Sequence, residues 1–164
     1  MSVGRRILFI INPHAGRSEI RSKLLDILQI FTEAGFTTEV RPTVHAGEIP
    51  DILQSRYGHY DLVVSCGGDG TLNETVNGLM LLPDRPPLGY LPSGTVNDFA
   101  ASLGISRDMT EAARCIANGS SCLVDVGCFD NRFFSYIAAF GGFTEVSYET
   151  PQQNKVLLAR SAYI

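Results

Sequence analysis

SCGGDGTLNETVNGL, residues 65–79, packs three glycines into four positions between an apolar run and a stretch with helical spacing. Asp61–Cys66 reads as a buried strand, and Thr71 opens a helix to about Leu81 with Leu72, Val76, Leu79 and Met80 on its inner face. Glycine tolerates positive φ and carries no Cβ, so backbone N–H groups at Gly67, Gly68 and Gly70 can face a concave anion site. The opening helix adds its partial positive charge, and the Thr71 hydroxyl adds a compact donor. The chemistry suits a polyphosphate. Asp69 is the exception, because a carboxylate among phosphate donors repels the ligand. It fits if it holds Mg²⁺ or if it orients a neighbouring backbone group, and the sequence leaves both open.

Working outward, Ile7–Ile11 is a first apolar run stopped by Asn12-Pro13-His14-Ala15-Gly16. Ile20, Leu24, Ile27, Leu28, Phe31 and Ala34 form one helical stripe that ends at Gly35. Thr37–Arg41 is a second strand, and a weaker helix covers about Gly47 to Arg56. Leu88–Leu91 is a fourth strand, followed by Ser93-Gly94-Thr95, a short helix from about Asn97, with Asn97-Asp98 as its N-cap, and a helix over Met109–Asn118. Strands alternating with helices predict right-handed crossovers and a parallel sheet, hence a three-layer α/β domain over 1–120. From Ser121 the pattern changes to short strands with a turn at Asp130-Asn131, the start of a β-rich second domain over 121–164 that is incomplete here. The apolar stretch NKVLLARSAYI ends abruptly at Ile164, which suggests the leading part of something longer.

The loops after the four strands belong on one rim of such a sheet, where open α/β folds bind ligands. Asn12–Gly16, Thr43, Gly67–Thr71 and Ser93–Thr95 therefore converge. Two familiar phosphate loops are excluded by spacing: no lysine completes a Walker A motif, and Asn73 stands where the dinucleotide fingerprint needs glycine. A net charge of −4 gives no basis for a nucleic-acid groove. No apolar stretch reaches the ~20 residues of a membrane span. Cys66, Cys115, Cys122 and Cys128 show no metal-ligand spacing and read as free, reduced, mostly buried thiols.

GGDGTLNE at 67–74 resembles the signature of the diacylglycerol kinase catalytic family, shared more loosely with NAD kinases and phosphofructokinases. NPHAG at 12–16 resembles that family's N-P-x-[AS]-G loop. LPSGTVNDFAASLGI at 91–105 is similar to its third block, and the stretch from Val124 to Pro151 is similar to the start of its β-rich domain. The resemblance implies a soluble bacterial lipid kinase that transfers the γ-phosphate of ATP, with Mg²⁺, to the hydroxyl of diacylglycerol or a related lipid, giving phosphatidic acid. It implies nucleotide contacts at Asn12, Pro13, His14, Ala15, Gly16, Thr43, Gly67, Gly68, Asp69, Gly70, Thr71, Leu72, Asn73, Glu74 and Thr95. His14 stands where the family tolerates several residues, so its side chain is given no role.

The family's general base and second-metal ligands lie late in the second domain. Nothing in this chain is therefore expected to act as base, the metal ligands are unassigned, and the 164 residues alone are expected to bind nucleotide weakly and without turnover. The implied location is cytoplasmic, with peripheral contact at the inner membrane face. A homodimer is compatible with the sequence, which is silent on oligomeric state. Two other readings stand beside this one: a stand-alone nucleotide-binding module without catalysis, and an NAD-kinase-like enzyme.

Overall fold

Strand β1 (Arg5–Ile11) explains the architecture, because its last five residues are buried on both faces. Ile7, Phe9 and Ile11 point into one apolar layer while Leu8 and Ile10 point into another. A strand with that pattern must be covered twice, as alternation along a pleated chain requires. The computed structural model describes residues 4–16 and 19–135. Its element order is β1, α1 (Ile20–Glu33), β2 (Phe36–Pro42), α2 (Ile49–Ser55), β3 (Leu62–Gly67), α3 (Asp69–Met80), β4 (Leu88–Pro92), α4 (Asp98–Ser102), α5 (Met109–Asn118), β5 (Gly127–Phe129) and β6 (Arg132–Phe134). The further strands expected after Ser135, and the apolar tail, lie outside the described residues.

The first four strands form one parallel sheet in the order β2-β1-β3-β4. Helices α1 and α5 cover one face, where Phe31 meets Phe9 edge-on with ring centroids 5.9 Å apart. On the other face α2 and the C-terminal part of α3 close over Leu8, Ile10 and Val63, and Leu72 and Val76 pack with Tyr90 and Ala100. Each fully buried side chain of this size contributes roughly 1.5–3 kcal/mol, so the two layers together carry the stability of the fold. The α/β class, the parallel sheet and the short antiparallel pair that follows it are all as the sequence predicts.

The boundaries differ in instructive places. Helix α3 starts at Asp69, ahead of the expected Thr71, because its N-cap Gly68 is extended (φ −87°, ψ −174°) and the next residue can already turn. Helix α5 matches its predicted ends, since the Asp108 carboxylate accepts the Thr110 and Glu111 amides and fixes the start. β5 and β6 pair antiparallel about Asp130 and Asn131, which both have positive φ. The hairpin is tied to α3 by Asn77, whose side-chain amide donates to the Phe133 carbonyl (2.7 Å) and accepts from the Phe133 N–H (2.9 Å). The thiols need a correction: Cys66 is buried, but Cys115, Cys122 and Cys128 are exposed, one on the outward face of α5 and two in the stretch that follows.

Candidate nucleotide site

The sheet order places the site. β1 and β3 are neighbours, yet the chain leaves β1 into α1 on one face and leaves β3 into α3 on the other. Loops that part in opposite directions from adjacent parallel strands open a crevice between them. The backbone ladder runs on into these loops. Asn12 N–H donates to the Cys66 carbonyl (2.9 Å), Thr43 N–H to Ile11 (2.8 Å) and Ser93 N–H to Gly67 (2.9 Å). All four post-strand loops are thereby fixed on one rim.

Above the rim lies a cavity of about 600 Å³, within the ~300–1,000 Å³ usual for small-molecule sites. Asn12, His14, Ala15, Gly16, Thr43, Gly68, Asp69, Gly70, Thr71, Glu74 and Thr95 line it. Pro13, Gly67, Leu72 and Asn73 do not. Leu72 is a core residue packed with Val76, Tyr90 and Ala100, and Asn73 is exposed on the far side of α3. Gly67 ends β3 beneath the rim, where a Cβ would stand 2.4 Å from Thr71. The lining also includes Val44, His45, Ala46, Ile49, Gly94, Val96 and Asn97. Val44–Ala46 follow β2 directly, so the position of the strand end would have found them.

The glycines divide by what they meet. A Cβ on Gly16, which has φ +54°, would stand 2.1 Å from the Ser93 carbonyl oxygen. One on Gly94 would stand 2.5 Å from the Gly68 Cα. These glycines let three loops touch backbone to backbone. Gly70 is different: a Cβ there would meet nothing within 4 Å. It lies in the first turn of α3, whose amides have no side-chain cap and face the cavity end of the helix. Orphan first-turn amides and the helix dipole together give that end of α3 a partial positive charge.

The polar side chains are held in place. The Asn12 side-chain amide donates to the Thr71 hydroxyl (3.0 Å), while its oxygen accepts the His14 N–H (3.0 Å). As an acceptor from Asn12, the Thr71 hydroxyl keeps its own proton for donation. Asp69 does not point into open space, for its carboxylate accepts the Asp98 N–H (3.1 Å) and the Phe99 N–H (3.3 Å). It caps α4 from the first turn of α3, and of the two roles left open above this is the one the geometry displays. Glu74 accepts the Ile49 N–H at the start of α2 (2.9 Å). Asn97, expected as an N-cap side chain, occupies the N-cap position of α4 but makes no cap bond. It sits at φ +56° and turns back to Gly94, accepting its N–H (2.9 Å) and donating to its carbonyl (2.7 Å).

The resulting rim is amide-rich, and among the described residues no Lys or Arg lines it. No cluster of three or more metal-ligating side chains occurs among the described residues. No helix among them is long and apolar enough to cross a membrane.

The diacylglycerol kinase catalytic domain model matches residues 6–129. The chain belongs to the diacylglycerol kinase catalytic domain family. Diacylglycerol kinase from Bacillus subtilis (strain 168) is 40% identical over 161 residues, covering 97% of this chain and 53% of that protein. Diacylglycerol kinase from Staphylococcus aureus (strain bovine RF122 / ET3-1) is 40% identical over 160 residues, covering 97% and 51%. A crystal structure of a diacylglycerol kinase from Bacillus anthracis strain Sterne superposes with a TM-score of 0.73 at 32% identity, covering 82% of this chain and 47% of that one. The chain thus spans about half the length of the diacylglycerol kinases it matches.

Proposed function

We propose that the rim binds Mg·ATP, and that the chain supplies the nucleotide-binding part of a lipid kinase. That kinase transfers the terminal phosphoryl group to the hydroxyl of diacylglycerol or a related lipid, giving phosphatidic acid. Family membership supports the reaction class, and one observation carries the assignment to this cavity. The uncapped first turn of α3 meets empty space at Gly70, beside the Thr71 hydroxyl that Asn12 holds as a donor.

The division of labour follows from the carboxylates. Asp69 and Glu74, the two that line the cavity, each accept backbone amides. A general base must reach the substrate hydroxyl with an unengaged oxygen; Asp69 has both oxygens on amides, while Glu74 holds the start of α2 through Oε1. Phosphoryl transfer rests mainly on positioning and charge stabilisation. These residues contribute positioning through amides and hydroxyls, whereas Mg²⁺ would arrive on the phosphates and neutralise their charge. On this reading the 164 residues alone bind nucleotide weakly and do not turn over. Contact with lipid is peripheral, at the inner face of a membrane, from the cytoplasm.

Calorimetric titration with Mg·ATP, Mg·ADP and adenosine tests the binding half. Affinity rising with phosphate number supports it, and equal affinity for ATP and adenosine overturns it. An assay of labelled γ-phosphate transfer to diacylglycerol in mixed micelles tests the other half. Turnover by these residues alone at a rate like that of a full-length relative would overturn the division of labour.

A further inference from the structure

Tyr90 in β4 is 5% exposed, its ring packed among Leu72, Val76 and Ala100. A buried hydroxyl without a partner is costly, and this one reaches two acceptors: the Gly67 carbonyl (3.2 Å) and the Asn97 side-chain oxygen (3.4 Å). Gly67 precedes the N-cap of α3. Asn97 closes the Gly94 loop through its paired bonds to the Gly94 backbone. One hydroxyl beneath the rim therefore touches both loops that carry the uncapped amides and Thr95. Asn97 keeps a left-handed backbone that a side chain seldom adopts without compensation, and its three side-chain contacts supply that compensation.

We propose that Tyr90 is a positioning residue, acting through Asn97 to fix the spacing between the α3 amides and the Gly94–Thr95 loop where a polyphosphate lies. This rests on the nucleotide reading above. The hydroxyl touches no ligand. Its role is to hold at a set separation two backbone segments that would each bind phosphate less well if they moved independently.

The test uses the whole chain with Tyr90→Phe, Asn97→Gly and the double variant, titrated with Mg·ATP and adenosine and followed by thermal unfolding. Phe retains the ring, and Gly accepts the left-handed backbone without strain. The proposal expects Tyr90→Phe to weaken Mg·ATP roughly fivefold, as loss of one buried hydrogen bond would, with adenosine affinity unchanged. Asn97→Gly should weaken Mg·ATP by about tenfold, and adding Tyr90→Phe to it should bring little further loss, since the two act as one unit. Wild-type Mg·ATP affinity in Tyr90→Phe, fully additive losses, or equal losses for ATP and adenosine would each overturn the proposal. If Tyr90→Phe does not fold, Asn97→Gly alone decides through the same ATP-to-adenosine comparison. A wild-type chain that binds ATP no better than adenosine removes the nucleotide reading and the proposal together, whereas wild-type discrimination that survives both variants removes the proposal alone.

Discussion

Asn12 and Thr71 are 59 residues apart in sequence, and their side chains meet across 3.0 Å to join the loop after β1 to the first turn of α3. The bond does two things at once. It ties the two loops together across the crevice, and it makes Thr71 an acceptor on one side, which leaves its own proton for donation.

Asn12→Ala removes the donor and also the acceptor for the His14 amide. Loss of the partly buried bond to Thr71, with the exposed one to His14, should lower stability by about 1 kcal/mol and weaken Mg·ATP by ~5–10-fold. Thr71→Val keeps the volume and should weaken Mg·ATP to a similar extent. Paired calorimetry and thermal unfolding check both; unaltered binding in Thr71→Val would deny the hydroxyl its donor role.

Gly70 and Gly94 should respond in opposite senses. Gly70→Ala places a Cβ where nothing lies within 4 Å, inside a helix that prefers alanine. It should stabilise the fold by about 0.5–1 kcal/mol while narrowing the cavity and weakening Mg·ATP. Gly94→Ala puts a Cβ 2.5 Å from the Gly68 Cα, backbone against backbone, and should destabilise by about 1–3 kcal/mol. Denaturant curves with nucleotide titrations distinguish the two.

Acid should loosen α5 first at its N-terminus. The Thr110 hydroxyl above all, then the Glu111 and Thr110 amides, hold the Asp108 carboxyl below its ordinary value. A lowered folded-state pKa contributes stability that is present above the unfolded value near ~3.9 and lost as pH falls through the folded one. Asp108→Ala should therefore lower stability at neutral pH, and the gap from wild type should shrink as pH drops below ~4. Unfolding midpoints across that range give the comparison; a gap independent of pH would contradict it.

Thiol chemistry should separate the cysteines. Burial pushes the Cys66 thiol up to about 11, against a weaker opposing contact with the Ser93 hydroxyl, so little thiolate forms near neutrality. Cys115, Cys122 and Cys128 are exposed. A disulfide reagent should titrate those three in the folded protein and Cys66 only after unfolding. Four equally fast thiols would mean that β3 is open to solvent.

The architecture was legible because strand and helix periods are local. Phe9, Val64 and Leu91 sit in continuous apolar runs, and Ile27 and Phe31 sit on one helical stripe. The rim followed from topology once the strands were placed. The division among the glycines was not legible. Gly16, Gly68 and Gly94 read as ligand-facing in a sequence, yet the atoms nearest their missing side chains belong to other loops. Asp69 and Glu74 read as site carboxylates, but the amides they accept come from helices distant in the chain. Tyr90 gave no signal at all, because a tyrosine in a strand looks like core until a hydroxyl partner is placed beside it. Leu72 and Asn73 belong to the same motif as the lining residues, but on a helix successive residues face different ways, and neither lines the cavity.

The backbone contact of Gly16 with Ser93, and of Gly68 with Gly94, has a bearing on engineering. Peptide chains that rest against one another without intervening side chains cannot be swapped one at a time. A loop grafted from a distant relative would bring its own curvature to a seam with no slack, so only the three transplanted as a set would keep the pocket's shape.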